Sequence, residues 1–266
     1  MISRSQMKHT RNITDRLLLL VATTAAWYLA AAIIATPYLL PYPHQVIAEL
    51  ASRPLLYLRA EAYTSLEAIV GLAIATLVSL SLSVFIFFVP LAENYVMPCA
   101  IGVKATPVIA LAPLLAVWCG PGLSGKMIMS SLISFFPILQ GVNDAFKGAP
   151  KEVRAYMRVL GTPRFRDLRY VRMYLALPAF ASALKVAAPL AVVGAMVSEF
   201  LGADVGVGHL LFMFVSKAQT KEIFAAILSV VVIGWTLYWG MTVFERYVLL
   251  YLKIEQESRD IDGTIL

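Results

Sequence analysis

Apolar and polar positions along this chain do not alternate; they come in long blocks. Uncharged runs occupy Leu17–Leu40, Ala68–Ala92, Ala105–Gly125, Met127–Asn143, Val186–Ser198 and Ile223–Phe244. A helix that crosses a bilayer needs about 20 apolar residues. Four runs reach that length, and the two shorter ones continue past a single lysine near one end, Lys126 or Lys185. A lysine there can snorkel its ammonium group to the interface. The pattern predicts an all-α membrane protein of about six spans: Leu17–Leu40, Thr64–Val89, Val96–Cys119, Leu123–Phe146, Leu177–Leu201 and Ile223–Leu250. Pro37 and Pro41–Pro43 end the first span, Pro90 ends the second, and Gly120-Pro121-Gly122 turns the third into the fourth. Between spans one and two, Val46, Ile47, Leu50 and Leu55 fall on one face of an amphipathic segment over Gln45–Leu58. The chain divides into an N-terminal segment at 1–16, one six-span domain at 17–250 and a tail at 251–266, without an internal repeat or a second domain.

Composition agrees. The residues are 60% hydrophobic and 14% charged, with a mean hydropathy of +0.77, against about 25% charged in soluble domains. The first apolar run follows Arg4, Lys8, Arg11 and Arg16, as in a signal peptide. It is longer than the apolar part of such a peptide and lacks a small-residue cleavage site, so it reads as a retained span. With the N-terminus inside, the inner segments hold fifteen Lys and Arg against five in the outer loops (Arg53, Arg59, Lys126, Lys217 and Lys221). Basic residues concentrate on the cytoplasmic side of membrane proteins, which predicts both termini in the cytoplasm. The net charge of +6 then reflects topology and anionic lipid rather than nucleic acid. Cys99 and Cys119 sit at opposite ends of one span, roughly 30 Å apart on a straight helix. They read as small buried apolar residues.

Eight of the inner basic residues belong to one island, Lys147–Pro178. Pro150, Gly161 and Pro163 bracket a short helix within it, and Leu177-Pro178 leads into the fifth span. A short cytoplasmic helix of this kind can sit as a knob in a partner's groove. Tyr156, Met157, Val159 and Leu160 would fill the groove, with arginines meeting an acidic rim and lipid headgroups. A basic surface helix without a protein partner explains the charge but not the spacing from Gly161 to Pro178.

The island resembles the cytoplasmic "EAA" loop of ABC-importer permeases. It supplies Ala155-Tyr156-Met157, then Gly161, then Leu175-Ala176-Leu177-Pro178. The flanks resemble the nitrate, taurine and sulfonate branch, which includes bicarbonate and thiamine-precursor permeases. They are Leu40-Pro41 with Pro43-His44-Gln45-Val46, Lys104-Ala105-Thr106-Pro107, Ala112-Pro113-Leu114, Val117-Trp118-Cys119-Gly120, Phe135-Phe136-Pro137-Ile138 and Ser198–Ala203. The resemblance covers roughly residues 40–250. It departs at the Glu-Ala-Ala itself, which is Ala155-Tyr156-Met157, at Glu67, where the branch carries a basic residue, and at Ser79, Ser81 and Ser83, which replace glycines.

The resemblance implies a type I importer fold in a bacterial-type inner membrane. It implies a cytoplasmic ABC ATPase dimer that holds the ATP and Mg, an extracytoplasmic substrate-binding protein, and a second permease copy, a homodimer in preference to a heterodimer. No cofactor is expected on this chain. The cargo would be a small anion such as nitrate, bicarbonate or a sulfonate, or a vitamin precursor. ATPase coupling would run through Ala155, Tyr156, Met157, Val159, Leu160, Gly161 and Pro178.

An ionisable residue inside a span is a functional candidate because its desolvation is costly. Glu199 lies near the outer end of span five beside a loop with Gly202, Gly206 and Gly208. There it would gate entry, with Lys217 and Lys221 pairing with it or with Asp204 at an exposed rim and the glycines permitting motion, or it would be an interfacial carboxylate hydrogen-bonded to that loop. Lys185 and Lys104 would line an anion pathway or snorkel, and Glu67, one turn into span two, would pair with Arg53 or Arg59. Pro107 and Pro113 would bend span three and free the carbonyls of Val103 and Ile109 toward a pathway. Gly122-Leu123-Ser124-Gly125 matches the GxSG of an intramembrane serine protease, with His209 downstream. A nucleophile needs a base within hydrogen-bonding reach, and these two fall on different segments; Ser124 as an N-cap is the simpler expectation. A self-powered secondary transporter would leave the island unexplained.

Overall fold

The computed structural model describes residues 4–263 except Pro37 and Pro121, and side chains over residues 18–252 except those two and Val108. The sequence-predicted roles of Pro37 and Pro121, and the side chains of Arg4, Lys8, Arg11, Arg16, Lys253 and Arg259, lie outside the described residues.

The described chain is helical throughout its regular elements. They are α1 (Arg4–Ile34), α2 (Pro43–Ser52), α3 (Pro54–Phe88), α4 (Glu93–Ala105), α5 (Val108–Cys119), α6 (Leu123–Lys147), α7 (Lys151–Val159), α8 (Arg164–Asp167), α9 (Met173–Gly202), α10 (Val207–Ser216) and α11 (Thr220–Gly263). Four helical stretches are long and apolar enough to cross a membrane: Pro54–Phe88, Leu123–Lys147, Arg164–Gly202 and Thr220–Leu252. The first predicted span, Leu17–Leu40, is cut short: α1 ends at Ile34, and its Leu18–Ile34 is a shorter apolar helix.

Further boundaries differ from the sequence reading. Pro54 occupies the first helical position of α3, where its missing N–H removes no helical bond. The helix therefore begins ten residues before the predicted Thr64, and the amphipathic Gln45–Leu58 segment is cut into α2 and the start of α3. The third predicted span is two helices, bent by 103° at the break before Pro107. Proline disfavours helical geometry in the residue before it, and Thr106 is extended there (ψ 132°). The bend leaves no open carbonyl at Val103, because the Thr106 N–H donates to both Gly102 O (3.1 Å) and Val103 O (3.3 Å). Pro113 is tolerated inside α5. Lastly, Pro178 does not start a span; it sits inside α9, which begins at Met173.

The core is a three-helix junction of α3, α6 and α9, with α10 and α11 packed on it. Ala68, Leu72 and Ala75 of α3, Ile138 and Val142 of α6, and Ala187, Ala188, Ala191 and Val192 of α9 are its buried residues. Small residues let helix backbones approach closely where lipid removes the ordinary hydrophobic drive between helices. Ser130 of α6 marks the tightest point. A Cβ on Gly194 would stand 2.6 Å from its Cα, and one on Gly71 2.3 Å from its Oγ. Its hydroxyl donates to Ala191 O at 2.9 Å. Ser79 and Ser83, one turn apart, are buried, and Ser79 donates to Phe135 O of α6 at 3.0 Å; Ser81 faces outward. Both cysteines are free thiols, and Cys99 is exposed rather than buried, on a face of α4 that the bundle leaves open.

Candidate functional site

Two sites occupy the two ends of the three-helix junction, separated along α6 by Lys126 to Phe146, about 30 Å of helix rise.

The first is a polar cluster sealed among apolar helices. Glu199 of α9 is 1% exposed, Glu67 and Thr64 of α3 are fully buried, and Lys126 of α6 is 6% exposed. The Thr64 hydroxyl donates to the Glu199 carboxyl group (2.7 Å to Oε1, 2.9 Å to Oε2) and accepts the Val207 N–H at 2.9 Å. The Gly208 N–H donates to Glu199 Oε2 at 2.7 Å. These two amides belong to the first turn of α10, where helix N–H groups have no partner of their own. Lys126 Nζ stands 3.2 Å from Glu67 Oε1, and the Glu67 and Glu199 carboxyl groups are neighbours in the same enclosure.

The glycines of the loop make this enclosure rather than loosen it. Gly206 has φ +113°, and a Cβ there would lie 2.1 Å from Glu199 Oε1; a Cβ on Gly208 would lie 2.2 Å from Met196 O. The structure thus corrects the expected rim ion pair. Lys221 instead reaches Glu49 of α2 (3.5 Å) and Glu222 (3.8 Å), and Asp204 is exposed. Glu67 pairs with neither Arg53 nor Arg59. The early start of α3 places it about four turns into the helix, where it meets Lys126, which the sequence reading had put in an outer loop. Sequence reasoning missed Lys126 and Thr64; a lysine at the fourth residue of an apolar helix was the signal available.

The second site is the island. Its helix α7 ends in two bonds, Thr162 N–H to Met157 O and Gly161 N–H to Arg158 O, both 3.1 Å. These two bonds around a left-handed glycine (Gly161 φ +60°) make a Schellman cap. Tyr156, Val159 and Leu160 are 62%, 86% and 57% exposed, with Ala155 beside them also exposed, while Met157 turns half-buried toward the protein with Val153. Met157 therefore leaves the outward set that the sequence proposed. Pro178 is half-buried in α9, away from this helix.

The remaining candidates are engaged locally. Lys185 Nζ pairs with Glu245 Oε2 at 2.6 Å, and Ser182 donates to Glu245 Oε1 at 2.5 Å, tying α9 to α11. Lys104 Nζ sits 4.5 Å from the centroid of the Phe136 ring, beside a cavity of about 60 Å³ lined by Leu111 and Met129. Pro107 is exposed at the bend, and Pro113 is exposed within α5. Ser124 donates to Cys119 O at 3.2 Å, and Gly122 rather than Ser124 is the N-cap of α6. Among the described residues no hydrogen bond joins Ser124 to His209, so the protease pattern has no nucleophile–base pair.

Residues 68–249 match the family described as "Binding-protein-dependent transport system inner membrane component". The chain is 32% identical over 216 residues to a probable ABC transporter permease protein of Haemophilus influenzae, covering 81% of this chain and 88% of that one. It is 29% identical over 251 residues to the formylaminopyrimidine transport permease protein ThiX of Halalkalibacterium halodurans, covering 93% and 99%. In three dimensions it is similar to a chain of the MetNI methionine ABC transporter in an inward-facing conformation, with a TM-score of 0.65 at 16% identity, covering 74% of this chain and 98% of that one. The chain belongs to the binding-protein-dependent inner membrane components: it is the multi-pass permease subunit of an ABC-type importer, and ATP hydrolysis falls to a separate subunit.

Proposed function

We propose that α7 is the docking element for a cytoplasmic ATPase dimer, with the island and both termini on the cytoplasmic side. One observation carries this reading. A nine-residue helix outside the bundle exposes Tyr156, Val159 and Leu160, the last at 57%, and ends in a glycine turn with φ +60°. Water does not favour three such side chains on one exposed turn; a partner's groove does. ATP binding by two ATPase copies would bring the α7 helices of two permease copies together, and rigid-body rocking would switch access to a pathway along their seam.

The buried cluster at the opposite end is then the gate joint. Glu199 and Thr64 hold the α10 turn onto α3 and α9, so the outer end moves as one piece. Pro107 and Lys104 at the bend between α4 and α5, with Pro113 inside α5, are the pathway-wall candidates, while Lys185 ties helices together. A substrate-binding protein would deliver the cargo to the surface formed by α2 and the 202–221 stretch. The relative named for formylaminopyrimidine matches along nearly the whole of both chains, which favours a nitrogen-heterocycle vitamin precursor over nitrate, bicarbonate or a sulfonate.

Replacing Val159 by aspartate tests the docking face. The side chain is 86% exposed, so folding should be unaffected while co-purification with the ATPase is lost. An assembled, fully active Val159→Asp complex would sink the docking reading. Competition of uptake by a formylaminopyrimidine against taurine tests the cargo: inhibition by taurine alone would return the sulfonate reading.

A further inference from the structure

The arginines of the island are not equivalent. Arg154, Arg158, Arg166 and Arg169 are exposed to the surroundings. Arg164 and Arg172 instead reach back to the ends of two spans. Arg164 Nη1 donates to Phe88 O, the last residue of α3, at 3.1 Å. Arg172 Nη1 donates to Phe146 O, the penultimate residue of α6. The last four carbonyls of a helix have no partner within it and carry the negative end of its dipole. Each guanidinium answers both conditions.

Arg172 is also unusual for a charged side chain beside a membrane. It is 9% exposed. Its Nε lies 3.3 Å from both oxygens of Asp167, and its guanidinium carbon stands 5.8 Å from the centroid of the Phe87 ring. Phe87 in turn meets Phe146 edge-on at 6.0 Å, closing α3 against α6. Arg172 ends a turn of π-helix, Leu168–Arg172, that joins α8 to α9. Such turns are rare and cluster at functional positions.

The consequence appears when both ends are considered together. Each of α3, α6 and α9 carries part of the sealed cluster at one end and meets the arginine clamp at the other. On α3 these are Glu67 with Thr64, and Phe88; on α6, Lys126 and Phe146; on α9, Glu199 and, just before its start, Arg172. The island is covalently continuous with α6 and α9, but α3 is separated from it in the chain by α4, α5 and α6. Arg164 gives α3 a direct tie to the island.

We infer that Arg164 and Arg172 are positioning residues for coupling: by clamping the ends of α3 and α6 to the island, they make displacement of α7 move all three helices as one lever. This rests on the reading of α7 as the ATPase-docking helix. The mechanical content is simple. Without the clamp, α7 hangs from Gly148-Ala149-Pro150 on one side and Gly161-Thr162-Pro163 on the other, and its motion reaches α3 only through packing.

The test uses the whole permease–ATPase complex in liposomes, with Cys99→Ala and Cys119→Ala as background and Val205→Cys as the reporter at the far end. The rate of maleimide labelling is compared between nucleotide-free and ADP-vanadate-trapped complexes. The parent should show a nucleotide-dependent change. In Arg164→Gln and Arg172→Gln complexes that change should shrink about tenfold, as expected for loss of one charge-assisted hydrogen bond, while ATPase activity stays within about twofold. Arg164→Lys, which keeps a cation at the carbonyl, should recover most of the change. A merely structural role would lower complex yield and ATPase activity together and leave the labelling change of the assembled fraction at its parental size; that result overturns the inference alone. Arg164 is exposed, so its variant remains decisive if Arg172→Gln assembles poorly. A parent whose labelling ignores nucleotide overturns the docking reading itself.

Discussion

The two ends of the α3–α6–α9 junction hold their charges in opposite ways. At one end Glu67, Glu199 and Lys126 are enclosed, none more than 6% exposed. At the other, Lys147 and Glu93 pair at a half-open surface, with Asn143 donating to the same Glu93 oxygen at 3.1 Å. A buried charge depends on its partner, because the alternative is an unpaired ion in a low dielectric; an exposed charge has water as its alternative. The enclosed cluster is therefore built for fixed geometry and the Lys147–Glu93 surface for exchangeable contacts, beside the buried Arg172 clamp. That division suits a gate held shut at one end and a docking element at the other.

Four substitutions break or sharpen this contrast. Lys126→Met should have the largest effect. It leaves Glu67 buried without its cation, an imbalance that costs about 3–5 kcal/mol, and should abolish purification of folded permease in detergent. The double variant Glu67→Gln with Lys126→Met should recover much of it. Failure of that recovery would mean that Lys126 acts through packing rather than charge.

Gly206→Ala comes next. It forces a Cβ into the Glu199 carboxyl group from a backbone with φ +113°, for about 2–4 kcal/mol of overpacking and left-handed strain together. A melting temperature equal to the parent's would show that the α10 turn can move off Glu199.

Gly161→Ala tests the open end. Gly161 also has a positive φ (+60°), but a Cβ there has nothing within 4 Å, so only the backbone cost of about 1–2 kcal/mol remains. That cost falls on a local turn. Melting should barely change while uptake per ATP hydrolysed drops; unaltered uptake would count against a fixed turn after α7. Smallest is Lys147→Ala, which removes a surface ion pair worth about 0–1 kcal/mol. A loss of stability comparable to that of Lys126→Met would erase the distinction between the ends.

Glycine shows how far sequence reasoning reached. Gly161 was legible as a turn residue because two prolines and a change of periodicity flank it, and its φ of +60° agrees. Gly206 and Gly208 looked like hinges for Glu199. They are instead the sites where backbone lies against that side chain. Flexibility and close approach leave the same letter in the sequence, and only the neighbouring helix separates them.

The amino-acid order by itself determined the apolar blocks, hence a multi-span helical membrane protein, because burial in lipid requires every backbone group to be satisfied within the helix. It also determined the bracketed basic island, a local feature of charge, proline and glycine, but of the apolar set Tyr156, Met157, Val159 and Leu160 the structure turned Met157 inward. Tertiary structure alone decided the partners. Glu199 meets Thr64, 135 residues away; Glu67 meets Lys126 across two helices; Arg164 reaches Phe88, 76 residues back. Which buried charge faces which, and which arginine caps which span, depends on the register in which helices pack. That register is set by small-residue contacts such as Gly71 and Gly194 against Ser130, which carry no periodic signal along the chain.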